Sequence, residues 1–530
     1  MKNKVILISL SILFLVYIEV KTQELDNGSK KDITSEMGKA LHIRDMGEKI
    51  NSNSKLPKLT VFKEDGHPCS YRYLVTEEGK PFFWLGDTAW QLFWWTDKSS
   101  AEDYLKKRHD LGYNIIQATL LSFKTSVDDL PVCGILPFQN SDPSKPNIEL
   151  NKPNYWDHVD FVISTAEKYE IYIAVLLTWG KYVHGPYKHE KNYDPNKYVI
   201  FNSENAYIYG KWVGERYKDR TNIIWVLGGD IAPEDEHRDK LDVWKAMTEG
   251  LAQGLGNLDK RPDWSDKEES IWKKFLFTFH PQHHHSSSKY FNGMPWIQFH
   301  MSQSGHKERN LSTIWELVED DYKHESVLPT LNSEPNYEYH PVGWQQDNGW
   351  FDDYDIRKSA YWSVFAGGFG YTYGTWSDWQ IQRPDVADNL PGLAQVQHLK
   401  YLIESRPFLT RIPDQSILIT GQGKNNAEHI QACRDINGDY AFVYFPVNNQ
   451  TVEIDLSKMS GEKILAWWFH PQNGFVCSQK GYAIPAPFEE IETKDKHKFT
   501  SPKNLGPDWV LVLDNASKDF LVPGKESRIK

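Results

Sequence analysis

Residues Asn222 to Asp230 read Asn-Ile-Ile-Trp-Val-Leu-Gly-Gly-Asp. The unbroken apolar run from Ile223 to Leu227, rich in β-branched residues, predicts a strand buried on both faces, as in a parallel sheet. Two glycines follow, and the carboxylate of Asp230 stands at the carboxyl end of this strand. An aspartate that caps the next helix would explain that position. The alternative is a catalytic acid at a strand tip, where parallel α/β folds place their chemistry.

The same alternation of buried strands and helical segments continues on both sides of this stretch. A capping box of Ser99 and Glu102 predicts the start of the first helix. Eight strands that alternate with helices across 81–404 predict a (β/α)8 barrel, the TIM-barrel fold, rather than an open sheet. The predicted strands lie at about 81–87, 114–121, 171–179, 222–227, 275–280, 296–300, 326–334 and 367–373.

Beyond Arg406-Pro407 the pattern changes to short alternating runs without a helix-length segment between them. Turn residues such as Asn437-Gly438 separate several of them, so we predict an all-β, immunoglobulin-like sandwich. The predicted domains are a barrel over 57–410 and a sandwich over 411–530. The sandwich strands are expected at about 416–420, 429–434, 440–445, 451–456, 464–469 and 509–513.

The amino terminus predicts export. Lys2 and Lys4 precede an apolar run over 5–18, which is too short to span a bilayer and is typical of a secretory signal. We predict a signal peptide over 1–22 and a poorly ordered polar leader over 23–56. The protein is then periplasmic or secreted, without stable insertion in the membrane.

Composition narrows the class of partner. The net charge is -12, and no basic run suggests a nucleic-acid partner. The chain has 21 Trp and 27 Tyr, an excess that fills cores but also suits sugar-binding clefts, where aromatic faces stack on sugar rings. Its 4 cysteines fit no zinc pattern. Cys433 and Cys477 would pair on facing strands, but unpaired buried thiols are the favoured state.

In a barrel the residues that end the strands meet at one mouth. Two carboxylates are among them, Asp230 after strand four and Glu334 after strand seven, and hydrolysis of a glycosidic bond requires such a pair. The tract His283-His284-His285 looks like a metal site but is interpreted as a solvated loop. We therefore predict no metal and no cofactor. The candidate substrate-binding residues are Asp87, Trp90, Gln117, Trp179, His280, His300, Gln303, Tyr337 and Trp376.

Several of these residues have a structural alternative. Asp87 would equally cap a turn. His280 orients Glu334 or a substrate hydroxyl, or it is a hydrogen-bonded core histidine, and the same choice holds for His300 and Gln303. Tyr337 is expected to hydrogen-bond the nucleophile, Trp179 and Trp376 are the predicted stacking platforms, and Glu338 is a rival carboxylate outside the strand tip.

Three motifs carry a family resemblance: Phe83-Trp-Leu-Gly-Asp-Thr-Ala-Trp90, the stretch Asn222 to Asp230, and Leu331-Asn-Ser-Glu-Pro-Asn-Tyr-Glu338. Together they resemble the apiosidase-like glycoside hydrolases of family 140, over about 59–411. The tail resembles the β-sandwich that follows the barrel in that family and is labelled collagen-binding, although nothing in its residues supports collagen as a ligand.

The resemblance implies a retaining glycosidase with Asp230 as acid/base and Glu334 as nucleophile. It also implies a polysaccharide substrate, with cleavage at apiose in side chains of the pectin rhamnogalacturonan II. The wider clan has Asn-Glu where this chain has Gly-Gly-Asp, so the shorter side chain needs a closer backbone, which glycine allows. In this geometry the carboxyls lie about 5–5.5 Å apart, Asp230 titrates high and Glu334 stays ionised.

Three alternatives stay open at this level. A carboxyl separation of about 6.5–9.5 Å would indicate an inverting enzyme. The second alternative is a non-catalytic glycan-binding protein on a barrel scaffold. The third is a barrel glycosidase with a different sugar specificity.

Overall fold

The structure is a computed structural model that describes residues 55–148, 152–187, 194, 196–235, 238–376, 388–423, 425–493 and 496–525. The predicted signal peptide and all but the end of the predicted leader lie outside these residues. Across the described ranges, no helix combines the length and the apolar character needed to cross a membrane.

Eight parallel strands build the barrel wall. They are β1 (Trp84–Thr88), β2 (Ile115–Thr119), β3 (Tyr172–Leu176), β4 (Ile223–Gly228), β5 (Phe277–His280), β6 (His300–Gln303), β7 (Thr330–Asn332) and β8 (Gly370–Tyr373). They pair in two arcs, β8-β1-β2-β3-β4-β5 and β6-β7. Backbone hydrogen bonds join the arcs on both sides, from Gln298 N–H to the Phe277 carbonyl (2.9 Å) and from Phe369 N–H to the Thr330 carbonyl (3.0 Å). The predicted barrel is confirmed.

A helix follows each strand. The helices are α1 (Lys98–Asp110), α2 (Tyr155–Lys168), α3 (Ser203–Tyr217), α4 (Leu241–Gly256), α5 (Ser288–Phe291), α6 (Thr313–Tyr322), α7 (Asp353–Phe365) and α8 (Gln397–Glu404). The start of α1 corrects the predicted capping box. Asp97 is the N-cap, its side chain accepts from Ser100 N–H, and the Ser100 hydroxyl closes the box. The helix therefore begins before Ser99, because an aspartate upstream already satisfies the first free N–H groups.

The sixth strand also lies later than predicted, at His300–Gln303 instead of 296–300. The apolar run that suggested the earlier position is buried, but as part of a turn: Ile297 N–H donates to the Met294 carbonyl, and Trp296 stacks on Trp264 with ring centroids 5.8 Å apart. The hydrophobic pattern correctly predicted that this segment is buried, but it placed the strand too early. Burial alone does not distinguish a strand from a packed turn.

The carboxy-terminal region is a β-sandwich, as predicted. Its strands form antiparallel sheets of seven and three strands. Every predicted run overlaps an observed strand, and the strands at 411–413, 475–477, 489–492 and 496–500 are additional. All 4 cysteines are free, including the buried Cys433 and Cys477. The strands are Arg411–Pro413, Leu418–Thr420, Gln431–Asp435, Tyr440–Phe445, Thr451–Asp455, Lys463–His470, Phe475–Cys477, Glu489–Glu492, Lys496–Thr500 and Trp509–Asn515.

The sandwich packs directly on the barrel through α7, the helix between β7 and β8. Tyr361 stacks on Tyr444 with centroids 4.9 Å apart, and Phe365 stacks on Phe442 at 5.8 Å. One hydrophobic core is continuous through both regions. Three short antiparallel strands precede the barrel, at Leu59–Val61, Leu74–Thr76 and Pro81–Phe82.

Candidate active site

The tip of β4 turns sharply toward the barrel mouth. Gly228, Gly229 and Asp230 have φ angles of 90°, 118° and 61°, all in the left-handed region. A Cβ on Gly228 would lie 2.4 Å from the His280 carbonyl oxygen, and one on Gly229 would lie 2.9 Å from Gly180 N. Only glycine fits this close approach. The two glycines therefore let the backbone carry Asp230 inward.

Asp230 and Glu334 line the same cavity, which has a volume of about 590 Å³ and lies where the barrel strands end. This size suits a small-molecule or sugar-sized ligand. Four of the predicted binding residues line it as well: Trp90, Trp179, Gln303 and Tyr337.

Asp230 is the carboxyl with the raised pKa. Desolvation at the cavity wall raises its pKa, with the nearby charge of Glu334 as a second cause. The Tyr187 hydroxyl donates to Asp230 Oδ2 (2.6 Å) and partly offsets the shift. Trp179 Nε1–H in turn donates to Tyr187 Oη (3.3 Å). Asp230 is therefore suited to hold a proton at a pH where a free aspartate is ionised.

Glu334 has the opposite shift. Burial by itself would raise its pKa, but contacts with His280 and His306 hold the pKa below its usual value. His306 Nε2 lies 3.2 Å from Oε1, and His280 Nε2 lies 3.1 Å from Oε2. Because His306 Nδ1 accepts from Tyr337 N–H (3.3 Å), the proton of the neutral ring is assigned to Nε2, which donates to Glu334. Glu334 is therefore held ionised.

A family model described as "Apiosidase-like, catalytic domain" matches residues 69–410. The chain belongs to the apiosidase-like family. A second model, described as "Putative collagen-binding domain of a collagenase", matches residues 412–514. These matches confirm both halves of the resemblance carried by the sequence motifs.

Solved structures agree with this assignment. One described as "Glycoside hydrolase" is 32% identical, with a TM-score of 0.72, and the match covers 88% of this chain and 98% of that chain. A glycoside hydrolase of family 5 from Bacteroides vulgatus is 31% identical with a TM-score of 0.73, covering 88% and 96%. A search of curated proteins gives no match. The protein is a glycosidase with a carbohydrate substrate.

Two residues predicted to bind substrate lie deeper in the glycosidase barrel. Asp87 faces α1, where its Oδ2 accepts from Tyr104 Oη (2.7 Å) and pairs with Arg108 Nε (2.5 Å), so it is a structural ion pair and not a sugar ligand. Gln117 Nε2 donates to the Ser333 carbonyl (2.9 Å). It braces the residue before Glu334 instead of reaching the cavity.

His300 and Trp376 do not line the cavity either. His300 Nδ1 lies 3.1 Å from Ser287 Oγ, and burial lowers its pKa to about 4. It precedes Gln303 by an odd number of residues along β6, so the two side chains face opposite sides of the strand. Trp376 packs edge-on behind His340, with centroids 4.7 Å apart.

His280, Tyr337 and Trp179 each lie close to the two carboxylates but make different contacts. His280 lies against Glu334 and edge-on to Trp90 (5.2 Å), so it orients the carboxylate. Tyr337 N–H donates to His306 Nδ1, and among the described residues no hydrogen bond joins the Tyr337 hydroxyl to Glu334, which differs from the prediction. Trp179 has one face covered by Phe123, at 4.2 Å.

The histidine tract forms a turn at the mouth of the cavity, with His283 exposed and His284 and His285 half-buried, as expected of a solvated loop. His283 and His284 line the cavity, and His284 N–H donates to the Gln303 carbonyl (2.6 Å). In the described residues, no group of three or more His, Cys, Asp or Glu side chains is arranged to hold a metal ion. The tract contributes imidazoles to the wall of the glycosidase cavity.

Sequence reasoning missed several lining residues, among them Tyr187, His306, His340 and Trp344. His306 follows β6 in the polar run Ser304-Gly305-His306, and the correct position of that strand would have identified it. Tyr187 and Trp344 belong to loops and carry no local periodic signal.

Proposed function

We propose that this glycosidase acts by double displacement with retention of anomeric configuration, with Glu334 as nucleophile and Asp230 as acid/base. The opposite pKa shifts of two carboxyls in one cavity carry this proposal. A raised pKa keeps a proton available on Asp230 for the leaving oxygen. A lowered pKa keeps Glu334 negative toward the oxocarbenium-like centre.

In the first step, Asp230 gives its proton to the glycosidic oxygen while a Glu334 oxygen attacks the anomeric carbon. The glycosidic C–O bond breaks, and the sugar remains as an ester of Glu334. In the second step, ionised Asp230 takes a proton from water, whose oxygen attacks the same carbon and releases Glu334. Tyr187 stabilises the ionised form of Asp230 between the steps through its hydrogen bond.

For the substrate, we propose apiose-bearing side chains of rhamnogalacturonan II, and export of the protein toward that polymer. Family membership supports the sugar. The cavity lining supports an anionic polysaccharide such as pectin, because Lys124 and Lys307 contribute ammonium groups to it and His283 and His284 contribute imidazoles. These basic side chains contrast with the net charge of -12 of the whole chain, and they favour the binding of negatively charged ligands at the mouth.

The mechanism is tested by product stereochemistry and by trapping. Proton NMR in the first turnovers should show the product with the anomeric configuration of the substrate. Intact-mass analysis with a slowly deglycosylating fluoro-sugar substrate should show one added glycosyl group, located by peptide mapping on Glu334. Glu334→Gln is the matched control and should take no adduct. An inverted first product, or an adduct on another residue, would overturn the mechanism.

The substrate is tested on separated rhamnogalacturonan II side chains, with neutral plant polysaccharides as the comparison. Release of apiose from the pectic fragments is the expected result. Release of a different sugar would reject the apiose specificity and leave the hydrolase class intact. Fractionation of the producing cells tests export, and retention in the cytoplasm would reject it.

A further inference from the structure

The loop after β7 exposes an aromatic residue at the cavity. Trp344 lines the cavity and is 62% exposed, whereas Trp90 and Trp179, which line the same cavity, are 2% and 3% exposed. Leaving a large apolar side chain in water is unfavourable, and exposed aromatic surface at a cleft commonly marks a binding site. The position of Trp344 at the rim therefore requires a reason.

The backbone of this loop is also unfavourable. Trp344 has a φ of 64°, in the left-handed region, where a bulky residue is strained. The surrounding contacts impose this conformation: Gly343 N–H donates to the His306 carbonyl (2.9 Å), and Val342 N–H donates to the Gly349 carbonyl (2.9 Å). The hydrogen bond from Gly343 therefore attaches the loop to the segment after β6 that contains His306.

The indole is fixed in relation to the nucleophile. It packs edge-to-face with His340, with centroids 4.4 Å apart and an interplanar angle of 86°. His340 stacks on His306 at 4.4 Å, and His306 contacts Glu334. Trp344 is therefore joined through two histidines to the carboxylate while its own ring stays open to solvent.

We propose that Trp344 is the stacking platform for a second saccharide unit, which projects out of the cavity beside the unit whose bond is broken. An indole face matches the C–H face of a pyranose or furanose ring. Asp230 and Glu334 line the cavity and place the reacting unit inside it, so a ring at the rim contacts the next unit. The inference rests on the proposed function, and it predicts that the glycosidase binds oligosaccharides better than small glycosides of the same sugar.

The test compares Trp344→Ala and Trp344→Phe with a matched control, Tyr482→Ala, which removes an aromatic that is 64% exposed on the sandwich. Each variant is assayed on the oligosaccharide that the wild type cleaves fastest and on an aryl glycoside with the same sugar at the cleaved bond. Trp344→Ala should raise the oligosaccharide KM about tenfold, the scale of one lost aromatic contact with its buried area. Trp344→Phe should raise it less. The aryl glycoside KM should rise much less than the oligosaccharide KM, and the control should be unchanged.

A binding measurement tests the role of Trp344 independently of the catalytic mechanism. Titration calorimetry in the Glu334→Gln background measures the Kd of the same oligosaccharide with and without Trp344→Ala, and needs no turnover. An unchanged Kd and KM would overturn the platform even if retention and apiose release hold. An equal loss on the aryl glycoside would overturn it as well, because the defect would then lie in the reacting unit. Failure of the mechanism would show instead in the wild-type product and adduct.

Discussion

Carboxylates with little access to solvent occur in two regions of this glycosidase, and their charged and titratable partners differ. Between the barrel and the sandwich, Asp508 pairs with Arg357 (Nη2 to Oδ1, 2.9 Å) and Asp514 pairs with Arg406 (Nη2 to Oδ2, 2.6 Å). At the cavity, a tyrosine contacts Asp230 and two histidines contact Glu334.

Arginine stays charged at every physiological pH and matches a carboxylate with parallel hydrogen bonds. Arg357 and Arg406 each place two nitrogens on their aspartate, so these pairs fix how the two regions pack. Tyrosine and histidine instead adjust the pKa of a carboxyl and leave it free to exchange a proton. The difference separates charges that hold the structure from charges that perform the reaction.

The largest expected effect is at the cavity. Asp230→Ala and Glu334→Gln should each reduce kcat by on the order of 10³-fold or more, because each removes a group that acts on the reacting bond. The melting temperature should stay the same or rise for Asp230→Ala, whose charge is unfavourable in the folded protein, and should fall slightly for Glu334→Gln, whose ionised form the histidines stabilise. Steady-state kinetics and calorimetry measure both. Glu338→Gln is the control, a buried carboxyl bonded to Tyr373 outside the cavity. Near-normal turnover of Glu334→Gln would contradict the assignment of Glu334 as the nucleophile.

At the interface the expected loss is in stability. Arg357→Ala leaves the buried Asp508 without its cationic partner and, among the described side chains, with only the Tyr444 hydroxyl donating to it (3.1 Å), so the free energy of unfolding should fall by about 3–5 kcal/mol while kcat of the folded protein is kept. Urea denaturation measures the change. The double variant Arg357→Leu, Asp508→Leu removes both charges and should lose much less. An equal loss in the double variant would show that packing, and not the ion pair, holds the interface.

His306→Ala should reduce kcat/KM by about 10–100-fold and shift the pH profile. The histidine contact lowers the pKa of Glu334, so its loss raises that pKa. Glu334 is then protonated over a wider acidic range, and the acid limb of kcat/KM moves to higher pH. His306→Gln, whose amide can donate to Glu334, should recover part of the shift. A purely structural role would lower activity equally at all pH values.

The smallest expected effect is a pH-dependent gain in stability in Asp230→Asn. The folded pKa of Asp230 lies above its unfolded value, so its ionisation destabilises the fold as pH rises through that range. The variant should match the wild type at acidic pH and melt roughly 1–3 °C higher at neutral pH. Calorimetry at both pH values checks this. An equal gain at acidic pH would mean that charge is not the cause.

The barrel, the sandwich and the placement of Asp230 and Glu334 at one mouth were predictable from the sequence. Buried strands and amphipathic helices carry local periodicities, and alternating them leaves few topologies. The Gly-Gly before Asp230 also indicated a close backbone approach, which the φ angles of 90° and 118° show. These features depend on residues near each other in the chain.

Which strand-end side chains face the cavity was decided by tertiary structure. Asp87 and His300 are buried polar residues on barrel strands, yet one pairs with α1 and the other contacts Ser287. His300 and Gln303 are an odd number of residues apart on β6, so only one of them faces the cavity, and the hydrophobic pattern, which placed β6 too early, does not tell which.

The positions of the loop residues at the cavity depend even more on contacts between distant parts of the chain. Tyr187 reaches Asp230 from 43 positions away, and Gly343 holds Trp344 at the rim by donating to the His306 carbonyl. Such segments have no periodicity, and their conformation is set by hydrogen bonds and packing that exist only after the barrel has formed. Sequence alone therefore determined the fold and its carboxylate pair, while the folded chain determined what surrounds that pair.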